Sequence, residues 1–153
     1  MKNFCVGTPA IVDRECVQLT AQSLVDHLFR ANPEVEFLHL VQLCDHTRPG
    51  CEGSLKEIKD IYERANSLSN VSVKVETSSP RLGHTMAGYR MFSRFHESQI
   101  DHMIVIEDDT KLMHSIDLST IEPLLEESSI THLSMGYDYP GMNEWKSEDN
   151  GKE

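Results

Sequence analysis

Glu107, Asp108 and Asp109 stand side by side directly after the most apolar short run of the chain, His-Met-Ile-Val-Ile at 102–106. Three adjacent carboxylates at the tip of a buried strand repel one another across a few Å, and partial burial adds desolvation. A divalent cation, hydrogen bonds or open solvent relieves such a cluster. Hard oxygen ligands favour Mg2+ or Mn2+, and one or two carboxylates hold such an ion while phosphate oxygens and water complete its shell. A metal that bridges to a diphosphate is one reading of the triplet. The other needs no metal: three acids just before a helix interact well with its N-terminal dipole and cap it.

The elements that position these residues follow from the apolar patterning. Phe4-Cys5-Val6 predicts a buried first strand, with Gly7-Thr8-Pro9 as the loop after it. Residues 15–31 carry a helical stripe (Val17, Ala21, Leu24, Val25, Leu28, Phe29) that Asn32-Pro33 stops. Residues 35–43 are apolar enough for a strand buried on both faces. Ser54 and Glu57 form a capping box ahead of a second helix, whose apolar face runs from Leu55 to Leu68. Val71, Val73 and Val75 alternate with polar residues and predict a half-buried strand at or near an edge. A third helix spans 86–95, and 102–106 reads as a central strand. A short helix at 116–125 contains Pro123 and is expected to be broken or irregular. Residues 130–135 read as a last strand, and a polar acidic tail occupies 137–153.

Strands and helices that alternate in this way give an α/β fold. Right-handed crossovers stack it as three layers, α/β/α, around a mostly parallel sheet. One domain over residues 1–136 is expected. Ligands of open α/β sheets bind beyond the C-terminal strand ends. There the chain places Thr8, Pro9 and Arg14 after strand one, Asp45 after strand two, Arg81, Gly83 and His84 after strand three, and the acids after strand four.

This arrangement resembles the GT-A fold of the nucleotide-diphospho-sugar transferases, in a minimal version. The likeness rests on four pieces in order: Gly7-Thr8-Pro9 with Arg14, then Asp45, then Arg81-Leu82-Gly83-His84 with Arg90, then Ile104-Val105-Ile106-Glu107-Asp108-Asp109 as a variant of the D-x-D motif. It runs from residue 3 to about 135. The resemblance implies a nucleoside diphosphate sugar as ligand and Mn2+ or Mg2+ as cofactor. It implies Asp109 as main metal ligand with Glu107 beside it, and Glu107 and Asp108 facing the ribose and donor sugar. By the same likeness Asp45 accepts from the base, and Thr8, Pro9, Arg14, Arg81, Gly83 and Arg90 lie near the nucleotide. Transferases of this kind continue well past the acidic motif to build an acceptor site, whereas only residues 110–153 follow it here. A second copy or a partner protein supplying the acceptor surface is therefore expected. A non-catalytic interaction or assembly module that keeps the fold is the alternative, and a different phosphate enzyme on the same sheet is a third.

Composition narrows the field further. With 39% hydrophobic and 25% charged residues the chain is globular, and a net charge of -11 argues against a nucleic-acid partner, which needs a basic surface. No apolar run approaches the roughly 20 residues of a membrane span, and the N-terminus lacks a signal-peptide pattern, so a cytoplasmic protein is expected. Cys5, Cys16, Cys44 and Cys51 form no C-x-x-C pair and read as reduced thiols. The eight histidines show no H-E-x-x-H spacing; His39 and His27 read as structural, while His84 sits in the ligand loop. The loop around Gly83 lacks the G-K-[ST] of a P-loop and the G-x-G-x-x-G of a dinucleotide fold, and there is no G-x-S-x-G elbow. Arg90 and Arg94, one helical turn apart, read equally as a solvated face.

Overall fold

The computed structural model describes residues 2–11, 17–44, 51–78 and 83–127. Across them run β1 (Lys2–Ile11), α1 (Val17–Leu24), β2 (Val35–Cys44), α2 (Cys51–Glu63), β3 (Val71–Thr77), α3 (Gly83–Ser98), β4 (His102–Val105) and α4 (Leu118–Leu125). A π-helical turn, Val25–Phe29, prolongs α1, and a 3-10 turn, Arg64–Ser67, prolongs α2. The four strands are parallel and lie in the order β3-β2-β1-β4. The fold is α/β with three layers, as the alternation predicts. Arg14, Asp45, Arg81, the predicted strand at 130–135 and the tail at 137–153 lie outside the described residues.

Side chains alternate across a strand, so register assigns the faces. Phe4, Val6, Thr8 and Ala10 of β1 lie level with Phe37, His39, Val41 and Leu43 of β2. This face is covered by α1, its π-turn, α2 and α4: Leu24, Leu28, Phe29 and Leu118 close on Phe4, Val6 and Phe37, while Val17, Ala21, Ile58 and Tyr62 close on Ala10, Val41 and Leu43. The other face carries Cys5 and Leu40 and is covered by α3 through Met91 and Phe95. Gly7 lies on that face, where a Cβ would come within 2.1 Å of the Met103 methyl and 2.7 Å of Met91 Sδ. Burial pushes the Cys5 thiol up to about 12, so it stays protonated and inert.

Four local expectations need correction. β1 does not stop at Val6 but runs through Gly7-Thr8-Pro9 to Ile11. The reason is directional: Ile106 N–H donates to Gly7 O, so Gly7 addresses β4 and, by alternation, Pro9 addresses the same side. β4 has already ended there, so the missing N–H of Pro9 removes no ladder bond. The helix expected over 15–31 widens into a π-turn at Val25, closed by Arg30 N–H to Val25 O at 3.1 Å, which keeps both Leu28 and Phe29 buried. α2 starts at Cys51, so Ser54 lies inside its first turn rather than at its cap. β4 pairs with β1 among the described residues, and the strand expected at 130–135, on which its central position depends, lies outside them. α4 passes unbroken through Pro123; in a helix of two turns the proline removes one late bond, and Glu126 N–H still reaches Glu122 O at 3.1 Å. The predicted edge position of β3 agrees with the sheet order.

Candidate functional site

β4 ends in a tight turn that holds the three acids. Ile106 N–H still donates to Gly7 O at 2.9 Å, and Thr110 N–H closes the turn onto Glu107 O at 3.0 Å. Glu107 and Asp109 are exposed, whereas Asp108 between them is only 4% exposed. The Asp108 carbonyl accepts from Thr20 Oγ1 of α1 at 2.8 Å. From here the chain descends beside α1: Leu112 N–H donates to Ser23 Oγ at 3.1 Å, Ile116 N–H to His27 O at 2.8 Å, and Leu118 N–H to Asn32 Oδ1 at 2.9 Å. The acids therefore sit at the C-terminal edge of the sheet, on the tip of a strand, as the sequence predicts.

This geometry removes one of the two local readings of the triplet. The next helix, α4, begins only at Leu118, and its cap is Asp117, whose Oδ1 accepts from Ser119 N–H at 2.9 Å. Glu107, Asp108 and Asp109 do not cap a helix. Neither do they form a ready-made metal centre, since no group of three His, Cys, Asp or Glu side chains gathers among the described residues. What the turn offers is two exposed carboxylates, Glu107 and Asp109, flanking a buried third. That set fits a hard divalent ion whose remaining ligands are phosphate oxygens and water.

The other expected contacts are distributed around the sheet. Thr8 is not beyond the strand but inside β1, fully buried, with Oγ1 3.0 Å from His39 Nε2 in a hydrogen bond. Its side chain faces the core, and Pro9 beside it is half-buried. His39 packs against Phe29 and Tyr62, and its Nδ1 has no hydrogen-bond partner. Desolvation lowers its pKa to about 3, which keeps the ring neutral. Gly83, the first residue of α3, has φ +70, a conformation that favours glycine. Arg90 is exposed on α3, the helix of the opposite face. Of the arginines expected near a nucleotide, then, only Arg90 is among the described residues.

Two residues that pattern reading passed over matter here, Thr20 and Ser23. Both are buried on the face of α1 that also carries Val17, Ala21 and Leu24. The available signal was a pair of small hydroxyls embedded in an apolar stripe. A groove of about 270 Å³ between α3 and β3, lined by Leu38, Leu40, Lys74, Glu76, Arg94, Glu97 and Ser98, shares no residue with the acidic turn. Arg94 there is already engaged by Glu97 at 2.7 Å and Glu76 at 2.8 Å.

Neither a protein-family model nor a curated protein matches the chain by sequence. Solved structures do match it in shape. One is S. aureus TarS, with a TM-score of 0.53 and 16% identity over 83% of this chain. Another is S. aureus TarS 1-349, with a TM-score of 0.53 and 15% identity over 90% of this chain. The chain spans 20% of the first structure and 39% of the second. At these identities the likeness shows the fold alone, which is α/β and GT-A-like. No helix among the described residues is long and apolar enough to cross a membrane.

Proposed function

We propose that the chain binds a nucleoside diphosphate sugar together with Mn2+ or Mg2+ at the C-terminal edge of its sheet. The observation that carries this reading is the acidic turn: Glu107 and Asp109 exposed on the tip of β4, on a backbone bonded to both β1 and α1, with the capping explanation removed. Asp109 and Glu107 hold the metal, and Arg14, Asp45, Arg81, Gly83 and Arg90 remain the nucleotide contacts of this proposal. The metal, when bound, supplies positive charge against the diphosphate that leaves. In transfer, an acceptor hydroxyl oxygen forms a bond to the anomeric carbon as the bond to the diphosphate breaks, and the hydroxyl proton passes to a base.

A ligand at about 100 times its dissociation constant stabilises the fold by about 2.7 kcal/mol. Thermal unfolding with Mn2+ and a panel of nucleoside diphosphates therefore tests the proposal. A shift that requires both components and disappears in Asp109→Ala supports it; no shift with any member of the panel refutes it.

A second reading, an interaction module that keeps the fold without transfer, is favoured by one feature. Met86, Tyr89 and Phe92 expose 47%, 65% and 51% of their surface along α3. The same thermal panel separates the readings, because a pure interaction module responds to none of its members.

A further inference from the structure

The acidic turn is held from outside itself. Thr20 is fully buried on α1, and its hydroxyl donates to the carbonyl of Asp108, 88 residues away in sequence, at 2.8 Å. One turn on, Ser23 Oγ accepts from Leu112 N–H at 3.1 Å and donates to Thr20 O at 2.8 Å. A threonine or serine inside a helix commonly bonds back to its own preceding turn. Ser23 does so and still serves the acidic segment, while Thr20 donates across to Asp108. On the strand side Gly7 O takes Ile106 N–H, and the turn closes on itself through Thr110 N–H. The backbone between Ile106 and Leu112 is thus fixed at Gly7, Thr20 and Ser23, and it is along this stretch that Glu107 and Asp109 emerge into solvent.

We infer that Thr20 and Ser23 are positioning residues for the Glu107–Asp109 metal-diphosphate site; the inference rests on the function proposed above. Two exposed carboxylates hold a metal well only if their spacing is set beforehand, since each side chain otherwise loses rotamer freedom when the ion binds. The donor to Asp108 O sets that spacing. Asp108 lies between the two carboxylates, so a shift of its peptide reorients both neighbours. Neither Thr20 nor Ser23 touches the ligand.

The test is the dissociation constant of Mn2+ with whichever nucleoside diphosphate shifts the wild-type unfolding midpoint most, measured by calorimetry well below that midpoint. Thr20→Val keeps the shape and removes the donor; it weakens binding roughly tenfold, the equivalent of one hydrogen bond. Thr20→Ser restores the donor and binds within about twofold of wild type. Asn66→Ala removes the acceptor of Val73 N–H on the far side of the sheet. It controls for lost stability and leaves the constant unchanged. Should Thr20→Val not fold, Ser23→Ala carries the same expectation through Leu112. Thr20→Val binding like wild type while Asp109→Asn does not bind overturns the positioning role alone. A wild-type chain that binds no nucleoside diphosphate with Mn2+ overturns both this role and the proposed function.

Discussion

The two ends of the sheet are built from different polar chemistry. At the end where the strands begin, two buried asparagines knit loop to loop. Asn70 Nδ2 lies 3.0–3.3 Å from the carbonyls of Phe29, Asn32 and Val35. Asn32 donates to Leu28 O and Ile116 O at 2.7 Å and accepts from Leu118 N–H at 2.9 Å. At the end where the strands finish, two small hydroxyls fix a backbone turn that carries the exposed residues Glu107 and Asp109. Neutral amides spent on internal carbonyls hold a fold together. Charged groups at a surface contribute little to stability by themselves, and under the proposed function those on the acidic turn serve a ligand instead.

The sharpest way to break this contrast is Asn70→Ala. It strips a buried donor from a cluster of three carbonyls and should lower unfolding free energy by about 3 kcal/mol in urea titrations. A loss below about 1 kcal/mol would remove the distinction between the ends. At the opposite end, Asp109→Asn tests the proposed ligand rather than the internal polar network. It should abolish the roughly 2.7 kcal/mol of stabilisation that Mn2+ with a saturating nucleoside diphosphate confers.

His39 lies between the two ends, in the middle of the sheet. Its folded pKa of about 3 is below the ordinary 6.5, so the unfolded chain binds a proton that the folded chain refuses. Its contribution is complete above pH 6.5 and is lost as pH falls from there towards 3. The slope reaches about 1.4 kcal/mol per pH unit. Unfolding free energies at pH 7, 6 and 5 should show that slope in the wild type, and His39→Gln should be flatter by the same amount. The smallest effect belongs to Gln99, which ends α3 with φ 59, a left-handed conformation unusual for a side chain with Cβ. Gln99→Gly should raise stability by about 0.5–1 kcal/mol, measured by the same titrations, and leave ligand binding unchanged.

How much of this was legible in the sequence depends on how local the signal was. The run at 102–106 and the alternation at Val71, Val73 and Val75 reveal β4 and β3, because burial on one or two faces leaves a period in the residues themselves. The acids at the strand tip were equally plain. Gly7-Thr8-Pro9 misled, since glycine and proline mark turns on average. Here Gly7 is required by Met91 and Met103 pressing on it, and Pro9 is tolerated because no neighbouring strand needs its N–H. Asn32 read as a helix stop, and its role as a hub for Ile116 and Leu118 is invisible without the third dimension. Thr20 and Ser23 were hidden for the same reason: their partners lie 88 and 89 residues away, and no local period encodes such a pairing. The expectation that the acids cap a helix failed because the chain descends beside α1 for a whole helix length before α4 begins.

The central claim is that the exposed carboxylates on the tip of β4 hold a divalent ion that in turn holds a diphosphate. Diffraction from crystals grown with Mn2+ and a nucleoside diphosphate, collected to record anomalous scattering from manganese, addresses it directly. The account predicts one manganese peak within coordination distance of an Asp109 or Glu107 oxygen, with diphosphate density on its far side. Manganese bound elsewhere, or nucleotide density remote from the acidic turn, would contradict it.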